Sequence, residues 1–419
     1  MIHLGGMPML AQFLVENFLS IRDRAVLNLT ASNHDNEHLN NIFEYDKLRC
    51  LRSAVIYGAN ASGKSSLLKA MTAAILLVRE SQAMQVNSRL LRITPFLLDD
   101  DSRSKPSFFE FVIMIEGIRY VYGFSATQEK IIDEYLYAYF TAKRSLIFER
   151  SNTSTYKFNK ADEREFSAYK EKTTDNKLFL ATSTAWNCQK TKPVFMWFAD
   201  GVDTFTDNEL NNPPETLKHF KESDSPQLRE FTLRLLSNAD INIDSYVVDS
   251  HQTDPPPKAL MDLFGVEFGA GTIYNVTTGH TMPDNKKFFL DLSAESLGTQ
   301  NLFFLSPFLF EAFRSGKTLF IDEMSCLHTA LVQFLVTLFN DPDFNSKNAQ
   351  LIFATHDTNL LDLRLFRRDQ IYFVEKDAHG NSDLYSLDNF SVRKKENVRL
   401  AYLLGRYGAV PNIGNGVVL

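Results

Sequence analysis

Residues 53–66 constrain this chain more than any other stretch. Ala54-Val55-Ile56-Tyr57 has the character of a buried strand, Gly58 ends it, Ala59-Asn60-Ala61-Ser62 follow, and then come Gly63, Lys64, Ser65 and Ser66. Leu67, Leu68 and Met71 continue at helical spacing. The pattern is G-x-x-x-x-G-K-S between a strand and a helix, the setting in which that spacing marks a phosphate-binding loop. Backbone N–H groups wrap a phosphate only where glycines permit tight turns, and a helix starting there adds partial positive charge. Gly58 to Ser66 are therefore the expected nucleotide-binding residues, with Lys64 reaching the β- and γ-phosphates and Ser65 ligating Mg²⁺.

A chain of 419 residues suggests two or three lobes, and 44% hydrophobic residues with 35 Phe are enough for a large core. The net charge of -7 speaks against a surface built wholly for nucleic acid and leaves room for a local basic patch. Cys50, Cys188 and Cys326 are far apart and odd in number, as in a reducing, cytoplasmic setting. No stretch approaches the ~20 apolar residues of a membrane span. Residues 1–8 have neither a charged start nor a long apolar run, so a frayed leader is expected, with the fold beginning at Met9.

Alternation over Leu10 to Phe18 and again over Ala25 to Leu29 predicts a hairpin. His34-Asp35-Asn36-Glu37-His38 has the look of a metal cluster but reads as a solvated loop, because no third ligand lies near. A helix is expected from Lys64 to about Ser81, then a second hairpin around Glu116-Gly117 and more strand to Arg150. Asp99-Asp100-Asp101 reads as an exposed turn. The N-terminal part of the fold is thus 9–150. Residues 151–285 read as an inserted, mainly helical lobe, broken near Pro255-Pro256-Pro257, and 286–419 return to strand–helix alternation. A parallel α/β sheet with its ligand at the strand C-termini is the expected fold class, with a β-rich N-terminal subdomain and the helical lobe inserted.

Thr318-Leu319-Phe320-Ile321-Asp322-Glu323 is a buried strand finished by two carboxylates, the complement a phosphate loop needs. Asp322 would hold Mg²⁺ from the neighbouring strand, and Glu323 would position a water and take its proton. His356 follows the apolar run Leu351 to Ala354, where an imidazole would reach the γ-phosphate or the attacking water.

Gly58 to Ser65, Ser296-Leu297-Gly298-Thr299-Gln300, Asp322-Glu323 and Ala354-Thr355-His356-Asp357 resemble the Walker A, signature, Walker B and switch-histidine motifs of ABC-type ATPases. Phe13 to Ser20 resembles the first strand of their RecF, SMC-like and OLD branch. More narrowly, Asn17-Phe18, Glu295 to Gln300, Thr355 to Leu361, Arg368 to Ile371 and Tyr402 to Pro411 look like the RloA/AbiLi group of prokaryotic defence ATPases. The signature departs from the usual Ser-Gly-Gly-Gln, and the turn between Glu323 and Leu327 is one residue short.

The resemblance implies ATP and Mg²⁺ sandwiched between two subunits. The P-loop, Asp322, Glu323 and His356 of one copy would face Ser296, Gly298 and Thr299 of the other. A homodimer or higher even oligomer follows, as does hydrolysis of ATP. A regulatory ATPase of an anti-phage or abortive-infection system, controlling a separately encoded nuclease or toxin, is the first functional expectation. A RecF-like or SMC-like DNA-binding ATPase is the alternative, with Arg364, Arg367, Arg368, Arg393, Lys394, Lys395 and Arg399 as a candidate basic patch. A self-contained OLD-type nuclease ranks last, since the stretch after His356 is shorter than a separate domain of ~100 residues.

Overall fold

The computed structural model describes residues 8–45, 48–206, 213–253, 271–324, 327–394 and 396–411. Residues 1–7 of the expected leader, Pro255 to Pro257, Ser325, Cys326 and Lys395 lie outside these. In chain order the strands are β1 (Met9–Glu16), β2 (Ala25–Asn28), β3 (Ile42–Tyr45), β4 (Leu48–Leu51), β5 (Ser53–Tyr57), β6 (Ser107–Ile115), β7 (Ile118–Ala126), β8 (Ile131–Tyr139), β9 (Ser145–Ser151), β10 (Thr155–Phe158), β11 (Val202–Phe205), β12 (Ser245–Thr253), β13 (Gly271–Thr281), β14 (Lys287–Asp291), β15 (Thr318–Ile321), β16 (Gln350–Ala354), β17 (Ile371–Lys376) and β18 (Ser382–Ser386). The α-helices are α1 (Lys64–Glu80), α2 (Asp100–Ser104), α3 (Glu163–Lys170), α4 (Phe179–Ala185), α5 (Lys192–Asp200), α6 (Pro213–Glu222), α7 (Pro226–Asn238), α8 (Leu297–Ser315), α9 (Thr329–Asn340) and α10 (Val398–Leu403). Contacts divide the chain into one unit of residues 1–206, 312–325 and 332–419, and a second of 207–311 and 326–331. No helix among the described residues is long and apolar enough to cross a membrane.

The first unit holds two large sheets. One is antiparallel, in the order β10-β9-β8-β7-β6-β1-β2. Its hairpin β6–β7 turns on Glu116 (φ 51) and Gly117 (φ 79), two successive left-handed residues whose twist suits a tight antiparallel turn. Alternation along β6 sends Phe109, Phe111, Ile113 and Ile115 to the core. The other sheet runs β11-β15-β16-β5-β17-β18, parallel throughout except for β18. Strands buried along their whole length, such as β5, β15 and β16, read as unbroken apolar runs for this reason. α1 shares one core with both sheets: Leu67, Leu68, Met71, Ala74, Ile75 and Val78 cluster with Phe13, Phe111, Phe198 and Ile56.

A single amide staples the sheets. Gln350, at the start of β16, accepts from Leu10 N–H at 2.7 Å and from Thr318 Oγ1 at 3.1 Å, and its Nε2 donates to the Leu10 and Leu51 carbonyls at 3.0 and 2.9 Å.

The second unit pairs α6, α7 and the first part of α8 with the sheet β12-β13-β14. Phe303 stacks on Phe220, with centroids 4.7 Å apart, and Tyr246 closes on both edge-on. Pro307 inside α8 has no N–H for the Phe303 carbonyl one turn back. Ser306 Oγ supplies that bond at 2.7 Å, and Thr232 Oγ1 sits 3.0 Å from Ser306 Oγ to donate in turn.

Several expectations need correction. β10, β11, β12 and β13 lie in the stretch read as helical; β11 pairs with β15, far along the chain, and leaves no local signal, while β12 and β13 pair with consecutive strands whose alternation was missed. Asp99-Asp100-Asp101 is exposed as expected but opens α2, with Asp99 Oδ2 capping Ser102 N–H at 2.9 Å. The strand ending in Asp322-Glu323 is not the neighbour of β5, since β16 lies between them; spacing along the chain does not encode sheet order.

Candidate functional site

The phosphate loop forms where β5 meets α1. Ala61 (φ 61) and Gly63 (φ 116) wind it through left-handed conformations, and Gly63 leads directly into α1 at Lys64. A Cβ on Gly58 would come within 2.4 Å of the Val374 carbonyl, and one on Gly63 within 2.1 Å of Ser382 Oγ and 2.9 Å of Ser20 Oγ. Only glycine fits at either position. Lys64 is buried and folds back to donate to the carbonyls of Gly58 (2.9 Å) and Ala59 (3.1 Å). Burial lowers its pKa, against the pull of Glu323 and Asp322. Asn60, Ala61 and Ser65 are exposed at the loop surface, while Ala59 and Ser66 are half-buried. The buried Ser62 hydroxyl has no hydrogen-bond partner.

Two further strand ends reach the same place. Asp322 N–H donates to the Phe205 carbonyl at 2.8 Å, which carries the β15 ladder one residue past its end. Glu323 then takes φ 63, a left-handed conformation uncommon for a residue with a side chain. From the end of β16, Thr355 N–H donates to Ile56 O at 3.1 Å, and Asp357 caps the turn Thr358–Leu360 through Asn359 N–H at 2.9 Å. His356 is fixed between these two anchors. Its Nε2 lies 3.4 Å from Glu323 Oε2. Burial and the nearby Lys64 charge lower the His356 pKa and outweigh Glu323 and Asp322, which raise it, so the net effect favours the neutral imidazole. Lys64, Asp322, Glu323 and His356 thus share one electrostatic neighbourhood.

The donor set suits a nucleotide with its cation. The loop offers a lysine whose present acceptors are uncharged carbonyls, and Ser65 and Asp322 offer hard oxygens of the kind Mg²⁺ takes.

Ser296, Gly298 and Thr299 lie at the start of α8 in the second unit. Ser296 Oγ accepts from Thr299 N–H at 3.1 Å and lies 2.9 Å from Thr299 Oγ1, capping the helix. Glu295 is held in place just ahead of it. Its Oε1 accepts from Thr278 Oγ1 at 2.7 Å and lies 2.8 Å from His280 Nε2, while Gln300 Nε2 donates to its carbonyl at 2.8 Å. Ser296 and Leu297 are exposed.

Sequence reasoning missed Ser20 and Ser382. Ser20 was read as part of a strand and turn, and Ser382 carries no motif; only the fold puts them against Gly63. It also misjudged the basic residues near the C-terminus. Arg367 is fully buried against Asp369 and Arg368 pairs with the buried Asp35, whereas Arg364 and Lys394 form exposed pairs with Asp362 and Glu37 and stay at the surface. Asp35, read as part of a solvated loop, is 3% exposed for the same reason. His38 Nε2 donates to the Leu363 carbonyl at 2.7 Å, and among the described residues no three His, Cys, Asp or Glu gather to hold a metal.

Residues 53–362 match the protein family described as "AAA domain, putative AbiEii toxin, Type IV TA system". Curated protein sequences give no match. Among solved structures, the chain is similar to an SMC head bound to the C-terminal winged-helix domain of ScpA (13% identity over 90% of this chain and 97% of that one, TM-score 0.45). It is also similar to the SMC head domain of Thermotoga maritima (13% identity, 90% and 98% coverage, TM-score 0.41) and to the recombination mediator RecF (12%, 91% and 99%, TM-score 0.38). With a phosphate loop at β5, a carboxylate pair after β15, a histidine after β16 and a family match across well over half its length, the chain belongs to the AbiEii-type AAA-domain family of P-loop ATPases.

Proposed function

We propose that this protein hydrolyses ATP and uses ATP-dependent dimerisation to control a separately encoded effector in a cytoplasmic anti-phage or abortive-infection system. The observation that carries the catalytic half is the convergence of Lys64, Glu323 and His356 from three different strand ends, with His356 Nε2 3.4 Å from Glu323 Oε2. Lys64 exchanges its carbonyl acceptors for phosphate oxygens when nucleotide binds. Glu323 takes the proton of the attacking water, and His356, kept neutral, orients the water or the γ-phosphate by hydrogen bonding. Ser65 and Asp322 hold Mg²⁺, which when bound neutralises charge on the phosphates. Ser296 and Gly298 complete the site from a second copy, the start of α8 supplying N–H groups and partial positive charge; Thr299, buried and donating its N–H to Ser296 Oγ, holds that turn in place. The toxin–antitoxin description of the family supports the defence setting. The burial of Arg367 and Arg368 against Asp369 and Asp35 removes those two from a DNA-binding patch.

Glu323→Gln tests the reading. It should bind ATP as the parent does, turn over at least about a hundredfold more slowly, and accumulate as an ATP-dependent dimer by light scattering. Unchanged turnover would assign the proton transfer elsewhere.

A further inference from the structure

Three serine hydroxyls from separate parts of the chain line up behind the phosphate loop. Ser382, at the start of β18, is buried; its Oγ lies 2.6 Å from the Ser62 carbonyl and 2.8 Å from Ser20 Oγ. Ser20, in the turn between β1 and β2, has its Oγ 2.8 Å from Ser66 Oγ in the first turn of α1. The backbone locks the arrangement, since Ser382 N–H donates to the Ser20 carbonyl at 2.7 Å. Gly63 fills the remaining space against both side chains.

Each hydroxyl has one proton to give and can accept two. The row therefore has two proton orders. Ser20 Oγ donates to Ser66 Oγ, while the one proton of Ser382 has two acceptors within reach, the Ser62 carbonyl and Ser20 Oγ; given to the carbonyl, it leaves Ser20 without a donor behind it. Running outward, Ser382 donates to Ser20 and Ser20 to Ser66, which leaves the Ser66 proton for an acceptor outside the row. Without a ligand the Ser382 proton is shared between the two acceptors. An anion beside the first turn of α1 selects the outward order, and each donation then polarises the next O–H.

We propose that Ser20 and Ser382 are positioning residues of the nucleotide site, forming with Ser66 an outward-running hydroxyl relay that binding completes and that strengthens Ser66 as a donor to a phosphate oxygen. The relay rests on the nucleotide-site reading of residues 58–66. It explains why segments more than three hundred residues apart meet at the loop without presenting any side chain of their own to the ligand.

The test is a double-mutant cycle on ATP affinity, measured by titration calorimetry with Mg²⁺, using Ser20→Ala, Ser66→Ala and the pair. Each single change should weaken ATP by about three- to tenfold, the range of one hydrogen bond. The pair should be no weaker than Ser66→Ala alone, because Ser20 acts only through Ser66. Ser20→Thr, which keeps the hydroxyl, should restore affinity, an outcome that general loosening of the loop would not give. Ser382→Ala should show the same dependence on Ser66. Losses that multiply in the pair, or parental affinity in Ser20→Ala, would overturn the relay while leaving the nucleotide site standing. Parental affinity in Lys64→Ala would instead remove the nucleotide site, and the relay with it.

Discussion

Replacing Gln350 by Met separates hydrogen bonding from packing at the joint between the two sheets. The side chains are similar in length and volume, so little cavity is made. What disappears is four hydrogen bonds: from Leu10 N–H (2.7 Å), from Thr318 Oγ1 (3.1 Å), and to the carbonyls of Leu10 (3.0 Å) and Leu51 (2.9 Å). Gln350 is 1% exposed, so water does not replace them freely. At about 1 kcal/mol per bond, and more for any group left stranded, the expected loss is about 4 kcal/mol. Urea unfolding followed by tryptophan fluorescence is a suitable assay, because Trp197 is buried in the core that both sheets share. With a slope of about 3 kcal/mol/M, the midpoint should fall by roughly 1 M. A loss below about 1 kcal/mol would refute the staple and leave the alignment of the sheets to apolar packing and to the bond from the Tyr372 hydroxyl to the Asn28 carbonyl.

Lys64→Ala should abolish measurable ATP binding, which equilibrium titration would show; turnover equal to the parent's would take Lys64 out of the site. Asp35 is pushed up by burial, but the N–H groups of Glu37 and Arg368 and the charges of Arg367 and Arg368 outweigh that and hold its pKa below the ordinary value. A depressed carboxylate pKa stabilises above about pH 4 and its contribution is lost as pH falls through the folded value. Asp35→Asn should therefore cost about 1–3 kcal/mol at pH 7, with the gap to the parent closing toward pH 3; a gap that does not change with pH would sink the argument. Gly298→Asp and Lys64→Ala should each be inactive, yet a doubly tagged heterodimer of the two should regain turnover, since one of its sites pairs an intact phosphate loop with an intact start of α8. No recovery, with dimerisation intact, would mean that Gly298 acts within its own subunit or that both sites must work together.

The phosphate loop, the carboxylate pair and the histidine were legible in the sequence because each depends on local chemistry. Glycines are required where the backbone turns left-handed or meets a neighbouring chain, as at Gly63, and short apolar runs ending in Asp322-Glu323 or Thr355-His356 announce buried strands with polar ends. The hairpins β1–β2 and β6–β7 were readable for the same reason, their alternation and turn residues lying within a few positions of each other. What the sequence left undetermined depends on partners far away in the chain. The insertion of β16 between β5 and β15 is a matter of which strands pair, and hydropathy does not record it. The fate of Arg367 and Arg368 was set by Asp369 and Asp35, the first two residues from its partner and the second more than three hundred, and only burial turned exposed-looking cations into internal struts. Ser20 and Ser382 are ordinary polar residues until folding sets their hydroxyls 2.8 Å apart behind Gly63, because a hydrogen bond between distant segments leaves no periodic trace in either.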